Sequence, residues 1–254
     1  MGIPRGSAVR PGCGIDGKIT GMSHVSLFIG GISPMPDSGR PTGIFKHPLT
    51  STAHLGSAGF AGDQQADRRV HGGPDKAVHL FPARHYARLA ERFPDAAAQL
   101  VIGSIGENIS TADLDESSVR IGDIYRLGNA RLQVCQPRNP CWKIDDRFDA
   151  DGMAAYIAEQ SLTGWYWRVV QPGLLHADDS LELEQSTSTA PTLAAAMALW
   201  QVHRPAVSEL EQLAATPGIA SNWQRKILDR ADWLRQQPGQ ALPPQPLFHM
   251  KPEA

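Results

Sequence analysis

Hydrophobic and polar positions alternate along many short stretches of the first two thirds of this chain, which is the pattern of β-strands. Gly, Pro, Asn and Asp separate these stretches, so the strands should be short and joined mostly by turns. Strands are predicted at 18–28, 43–46, 52–55, 77–81, 123–127, 131–136, 164–170 and 180–184. Helical spacing is found at 83–93 and 153–158. The pattern therefore predicts a mainly β domain with some α-helix, not alternating βαβ units.

The pattern changes to a helical period near residue 187. Apolar residues recur every three or four positions in 192–200, 205–215 and 222–234. Three successive helices after a strand-rich region predict a small C-terminal three-helix domain. We therefore expect four regions: a disordered leader (1–16), a strand-rich domain (17–187), the three-helix domain (188–237) and a disordered tail (238–254).

Charge and composition exclude some classes of function. The 254 residues include 24 basic and 26 acidic ones, a formal charge of −2, and this balance does not suggest a nucleic-acid polymer as partner. Residues 1–16 are rich in Gly, Pro and Arg and have no apolar run, so we expect neither a signal peptide nor a membrane span. Three irregularly spaced cysteines favour a reducing compartment, and a cytoplasmic location is expected.

Cys141 is the candidate reactive residue. Prolines at 137 and 140 should hold its turn stiff, and the cations Arg138 and Lys143 lie within three residues of it, where they would stabilise a thiolate. A thiolate of this kind serves as a nucleophile or as a ligand for a thiophilic metal. Cys135 is in phase with the preceding strand and is expected to be an inert packed thiol.

Histidines could assist Cys141, but the pattern leaves their role open. Nucleophilic catalysis would need a histidine base such as His71 or His79 within reach of the thiol. We expect His79 and His85 to be ordinary satisfied polar groups, because no His and Cys cluster has the spacing of a zinc site.

A polar stretch at 62–76 has neither helical nor strand period and is predicted to be a loop of about 15 residues. Its basic side chains and paired glycines would suit an anionic phosphate, although a solvated surface loop is the alternative. The residues concerned are Arg68, Arg69, His71, Gly72, Gly73 and Lys76.

Four short motifs, in this order, resemble the signature set of the MOSC family, named for the C-terminal domain of molybdenum-cofactor sulfurase, and of its YiiM-like branch. They are Gly62-Asp63, His71-Gly72-Gly73, Gly106-Glu107-Asn108 and Gln136-Pro137-Arg138-Asn139-Pro140-Cys141-Trp142-Lys143. The resemblance extends from about Gly14 to about Arg235. It implies a closed, strand-rich β-barrel followed by a three-helix domain.

The resemblance also implies an activity. Cys141 would ligate the metal of a molybdenum cofactor, in an enzyme that reduces small N-hydroxylated bases such as 6-hydroxylaminopurine. The cofactor-binding residues implied are Arg69, His71, Gly72, Gly73, Lys76, Asn108 and Arg138. Because three cysteines cannot hold a four-cysteine iron–sulfur cluster, electrons should come from a separate reductase.

Two other classes of function stay open at this point. Cys141 could carry a persulfide as a sulfur carrier, or the protein could bind molybdopterin without catalysis, since a fold does not fix a function. The C-terminal helices could pack on the barrel, form a homodimer or dock the reductase.

Overall fold

A nine-stranded sheet forms the centre of the computed structural model, which describes residues 22–236. Within these residues the strands are β1 (Met22–His24), β2 (Ser26–Ile29), β3 (Ser33–Pro34), β4 (Pro41–Thr42), β5 (His47–Pro48), β6 (Thr52–Gly56), β7 (Gly59–Phe60), β8 (Val78–Pro82), β9 (Ile109–Thr111), β10 (Ile124–Leu127), β11 (Ala130–Pro137), β12 (Trp165–Gln171), β13 (Gly173–His176) and β14 (Ser180–Gln185). The large sheet has the order β1-β14-β10-β11-β12-β8-β9-β2-β5 and is antiparallel except for the parallel pair β8 and β9. Two small sheets, β13-β6-β7 and β3-β4, complete the strands.

The predicted closed barrel is not what the structure shows. The strand order is open, with β1 and β5 at its two ends. β1 pairs with β14 and β2 pairs with β9, although only Val25 separates β1 from β2 along the chain. The sheet must therefore curl strongly to bring both partners beside one short segment, yet its ladder is interrupted at that segment. The architecture is a mixed α/β fold around a large, curled, open sheet.

The helices lie at the ends and on the faces of this sheet. They are α1 (Arg68–His71), α2 (His85–Arg92), α3 (Lys143–Phe148), α4 (Met153–Glu159), α5 (Leu193–Gln201), α6 (Val207–Ala214) and α7 (Ser221–Gln236), with 3-10 turns at Pro74–Lys76 and Pro94–Gln99. No helix among residues 22–236 is long and apolar enough to cross a membrane.

Most predicted elements are confirmed within a few residues. The β10–β11 hairpin forms because Gly128 takes a positive φ of 53°, which glycine adopts at little cost, and Leu127 pairs with Ala130 across the turn. The three C-terminal helices also appear where their apolar spacing placed them.

Other predictions were wrong. Residues 43–46 are not a strand, because Gly43 packs so closely on the backbone oxygen of Gln64 that a Cβ atom would lie 2.2 Å from it. The 62–76 loop contains α1, whose first turn is capped by Asp67 through a 3.0 Å bond from the Arg69 N–H. Helix α3, strand β13 and the short strands β3, β4, β5, β7 and β9 were not predicted.

Two hydrophobic clusters form the core. The larger one combines the sheet with the buried faces of α5, α6 and α7, including Leu193, Leu210 and Ile227. The smaller one packs α2, α3 and α4 against Phe81 and Ile105. The C-terminal helices thus bury their apolar faces in the same cluster as the sheet. The predicted domain boundary at 187 stays a prediction, and the predicted leader and tail lie outside the described residues.

Candidate functional site

An open pocket lies where the two hydrophobic clusters meet, and its empty space of about 600 Å³ includes open solvent at its mouth. Its wall takes Ile44 and Ile105 from the smaller cluster and Tyr166 from the larger one. The rest of the wall is largely polar: Thr42, Gly43, Lys46, Asp63, Gln64, Gln65, Ala66, His71, Lys76, His79, Gly106, Asn108, Arg138, Cys141 and Lys143.

Cys141 lies in the pocket wall with only 5% of its surface exposed. β11 ends at Pro137 and delivers the chain to the turn, where the Arg138 N–H donates to the Gly164 carbonyl at 3.0 Å. The Cys141 carbonyl then accepts from the Ile144 N–H at 3.0 Å as α3 begins. The turn is therefore fixed on both sides by backbone hydrogen bonds, and Cys141 is a free thiol.

Cys135 has a different environment. It is fully buried, and its thiol lies 3.0 Å from the Asp75 carbonyl and 3.3 Å from the Tyr166 carbonyl. Burial, chiefly, raises the pKa of this thiol far above its ordinary value. Cys135 is thus a packed thiol held in the protonated form, as its strand position indicated.

Arg138 and His79 bring unpartnered polar atoms to the pocket wall. The two side chains are 7% and 5% exposed. Among residues 22–236, nothing accepts a hydrogen bond from Arg138 Nη1, and nothing has hydrogen-bond geometry to His79 Nε2, although the backbones of Thr163 and Gly106 lie near the imidazole. Burial, followed by the nearby charge of Arg138, lowers the pKa of His79 well below its ordinary value, so the imidazole is neutral near pH 7. The prediction that His79 is an ordinary satisfied polar group is therefore only partly correct, because its Nε2 atom has no hydrogen-bond partner among the described residues.

A buried ion pair between Lys46 and Asp63 forms part of the same wall. Their side chains are only 4% and 1% exposed, and Asp63 Oδ1 also accepts the Gly30 N–H at 2.9 Å. Burial is the main cause that lowers the pKa of Lys46, and the attraction of Asp63 opposes it. Asp63 thereby fixes a cation in the pocket.

The structure divides the residues predicted on the 62–76 segment. His71 and Lys76 line the pocket, and the Lys76 ammonium hydrogen-bonds to the Val70 carbonyl and lies 6.0 Å from the centre of the Tyr166 ring. Arg69 instead projects to solvent and pairs with Asp67, whose pKa this contact lowers to about 2. Gly72 and Gly73 are not part of the pocket wall. Of these five positions, the structure brings two to the pocket of Cys141.

Asn108 serves the backbone around His79. Its Oδ1 accepts the His79 N–H at 3.1 Å, its own N–H donates to the His79 carbonyl at 2.8 Å, and its Nδ2 donates to the Phe28 carbonyl at 3.2 Å. Although Asn108 lines the pocket, these bonds already occupy its amide group. The geometry gives it a positioning role between β8 and β2.

Gly106 and Glu107, the other two residues of the Gly106-Glu107-Asn108 motif, are also held in place by close packing and hydrogen bonds. Gly106 adopts a φ of 85°, and a Cβ there would lie 2.9 Å from Ile44 Cγ1. Glu107 is fully buried, and its Oε1 accepts from Tyr86 Oη at 2.7 Å and the Gly103 N–H at 2.6 Å. Burial raises the pKa of Glu107.

His85 shows the satisfied arrangement that was expected of it. Its Nε2 lies 2.8 Å from Glu116 Oε2, and the second oxygen of Glu116 accepts the Gly164 N–H at 2.7 Å. The part of the chain that the structure describes contains no group of three or more His, Cys, Asp or Glu residues able to hold a metal. A metal at this pocket would rely on Cys141 together with ligands that a cofactor brings.

Several residues of the wall were not among the predicted site residues, notably Lys46 and Tyr166, and His79 was considered only as a possible base for Cys141. Asp63 was visible in the Gly62-Asp63 motif, but nothing near it in sequence pointed to Lys46, 17 residues away. Alternation along β12 did mark Tyr166 as facing opposite to Trp165 and Trp167, which was the available signal.

Comparison with known proteins gives a consistent family. The model of the MOSC domain matches residues 67–182. Protein YiiM of Escherichia coli (strain K12) is 37% identical over 207 residues, which make up 81% of this chain and 91% of that protein. A protein named Reductase from Gibberella moniliformis (strain M3125 / FGSC 7600) is 31% identical over 141 residues, 55% of this chain but only 25% of that protein.

A solved structure agrees with these sequences. The crystal structure of YiiM from Escherichia coli matches with a TM-score of 0.71 at 30% identity, covering 84% of this chain and 93% of that one. Similarity at this level extends over nearly the full length of the relative. The chain belongs to the MOSC domain family, in its YiiM-like branch.

Proposed function

We propose that this protein is a molybdenum-cofactor-dependent reductase of small N-hydroxylated bases, such as 6-hydroxylaminopurine. The observation that carries the proposal is the free thiol of Cys141 in the wall of a pocket that also holds the cations Lys46, Lys76, Arg138 and Lys143. A soft sulfur ligand beside several cations suits a metal bound to an anionic, phosphate-bearing pterin. The fungal relative named Reductase supports the same class of activity.

The residues present fit such a cofactor. The pocket wall offers the right donor chemistry, namely the soft thiol of Cys141 for a metal and the cations Lys76 and Lys143 for an anionic phosphate. Cys141 would hold the metal, His71 and Lys76 would hold the pterin and its phosphate, and Arg138 would add its charge to the same wall. When bound, the cofactor supplies two-electron redox chemistry at molybdenum.

The chain's own residues bind, orient and exclude water. Cys141 is 5% exposed, so a group held at its sulfur is largely shielded from solvent. The Lys46–Asp63 pair is neutral overall, and Asp63 fixes the position of the Lys46 side chain in the wall. The overall reaction converts an N-hydroxylated base to the amine and water, consuming two electrons and two protons. A separate reductase would deliver the electrons, because three cysteines cannot supply the four ligands of a four-cysteine iron–sulfur cluster.

The test is the molybdenum and pterin content of protein from a cofactor-producing host, in wild type, Cys141→Ser and Cys135→Ala. We expect stoichiometric metal in the wild type and in Cys135→Ala, and loss of metal in Cys141→Ser. Wild-type protein, supplied with a reductase, should then reduce 6-hydroxylaminopurine. Equal metal content in all three proteins would contradict the assignment of Cys141.

The same samples separate the rival functions. A mass increase of about 32 Da on Cys141, without bound metal, would indicate a persulfide carrier. Stoichiometric cofactor without turnover under any reductant would indicate a carrier of molybdopterin. Either result replaces the reductase proposal.

A further inference from the structure

His79 Nε2 and Arg138 Nη1 are two buried polar atoms that line the pocket and have no hydrogen-bond partner among residues 22–236. Buried polar groups in native proteins are nearly always paired, and leaving one unpaired costs free energy. Both side chains are more than nine-tenths buried, so bulk water is a poor substitute. A bound ligand atom is therefore the expected partner.

The side chains that carry these atoms are neighbours, since the charge of Arg138 acts on both His79 and Tyr166, and Cys141 also acts on Tyr166. Arg138 precedes Cys141 by three residues in the same turn, and the His79 ring lies 5.5 Å from the Tyr166 ring. Burial raises the pKa of Tyr166, while the nearby charge of Arg138 opposes this shift and Cys141 adds to it. The four side chains form one group, the Cys141 cluster: His79, Arg138, Cys141 and Tyr166.

The chemistry of the two atoms selects a ligand group. Arg138 only donates hydrogen bonds, whereas a neutral imidazole nitrogen donates or accepts according to its tautomer. A hydroxyl group satisfies both atoms in either tautomer, because its oxygen accepts from Arg138 while it accepts from or donates to His79. An amine that lacks this oxygen would leave Arg138 unpartnered.

We propose that His79 Nε2 and Arg138 Nη1 bind the hydroxyl oxygen of the N-hydroxylated substrate, beside Cys141. This inference rests on the proposed function and adds the residues that distinguish substrate from product. In the reaction the N–O bond breaks, the oxygen leaves as water, and the nitrogen keeps its bond to the base. The separate reductase supplies the two electrons and solvent the two protons, so the neutral His79 orients the hydroxyl group and need not change its charge.

The position of His79 is fixed independently of any ligand. Asn108 bonds both the N–H and the carbonyl of His79, and the Tyr166 and Phe81 rings lie beside its imidazole at 5.5 and 6.3 Å. A side chain held in this way is preorganised for one ligand atom.

The experiment compares holoprotein of wild type, His79→Phe and His79→Gln with two ligands, 6-hydroxylaminopurine and adenine, the same base without the hydroxyl group. We expect His79→Phe to weaken binding of the hydroxylated base about tenfold, as loss of one buried hydrogen bond does, with adenine affinity unchanged. His79→Gln, whose amide both donates and accepts, should recover much of the loss. Molybdenum content should be the same in all three.

His85→Gln is the matched control, since it replaces a buried histidine outside the pocket wall. It should change stability but not the ratio of the two affinities. Equal effects of His79→Phe on both ligands, no effect on either, or loss of molybdenum in that variant would each overturn this inference while wild-type turnover upholds the proposed function. Wild-type protein that neither binds nor reduces the hydroxylated base would overturn both.

Discussion

The backbone N–H of Ser221, the first residue of α7, donates to Asp75 Oδ2 at 2.9 Å, across 146 positions of the chain. The other carboxylate oxygen accepts from Arg168 Nε at 2.7 Å, on β12. Asp75 is followed directly by Lys76, which lines the pocket. One carboxylate thus joins the C-terminal helices, the sheet and a wall residue of the pocket.

Breaking this junction should loosen the pocket segment. Asp75→Ala removes a part-buried ion pair and the Ser221 acceptor, and we expect it to lower the free energy of unfolding by about 1–3 kcal/mol. Ser221→Pro removes only the N–H, at a helix position where proline is well tolerated. Hydrogen exchange of residues 67–76 should accelerate in both variants. Asn222→Ala, in the same turn of α7, is the control and should leave exchange of residues 67–76 at the wild-type rate. Exchange in Asn222→Ala as fast as in the other two variants would contradict the coupling.

Local patterns predicted the regular elements well, and tertiary contacts explain the misses. The β10–β11 hairpin and α7 follow from alternation, a glycine turn and helical spacing, all readable within a dozen residues. Residues 43–46 read as a strand but pack against the backbone of Gln64, which is a distant contact. Closure of the barrel depended on the pairing around Val25, which no local pattern reveals. α3 was detectable, because Ile144 and Phe148 are four residues apart and both buried.

The residues of the candidate site also divide into those that a local motif predicted and those that depend on tertiary contacts. Cys141 and Arg138 were found because they lie within one motif, and the structure places both in the pocket wall. Arg69 was selected for its charge, but its side chain pairs with Asp67 at the surface. Lys46 was not found, because its position depends on pairing with a residue of a different loop.

Removing one partner of the Lys46–Asp63 pair should lower the free energy of unfolding more than removing both charges does. Asp63→Asn leaves the buried ammonium without a counter-charge, and we expect a loss of about 3 kcal/mol in the free energy of unfolding. Lys46→Met combined with Asp63→Asn should lose less, since no uncompensated charge remains. Urea denaturation of both single variants and the double variant measures the coupling. Additive losses would show that the two side chains do not interact.

The two described cysteines should differ in reactivity. Cys141 lines an open pocket, whereas Cys135 is fully buried and burial raises its pKa far above the ordinary value. Because the thiolate is the reactive form, iodoacetamide at pH 8 should alkylate Cys141 in the folded protein and leave Cys135 intact. Peptide mass mapping assigns the sites and keeps Cys13 separate. Both thiols should react in urea, and native labelling of Cys135 would contradict this assignment.

Glu107 should make stability depend on pH. In the folded state, burial is the main cause that raises the pKa of the Glu107 carboxyl above its ordinary value of 4.5. Hydrogen bonds from Tyr86 and Gly103 oppose this shift. The folded state therefore binds a proton more tightly than the unfolded state does. Stability from this group is fully present below pH 4.5 and is lost as pH rises through the folded pKa.

Glu107→Gln should remove this dependence. The amide oxygen can still accept from Tyr86 and Gly103, while the amide nitrogen replaces Oε2, which has no partner among the described residues. Free energies of unfolding from urea titrations between about pH 4 and pH 8 should show the wild type losing stability relative to the variant as pH rises. Glu91→Gln, at an exposed position of α2, is the control and should run parallel to the wild type. Parallel curves for Glu107→Gln as well would mean that the buried carboxyl titrates alike in both states, because some other group, such as Arg138, offsets its burial in full.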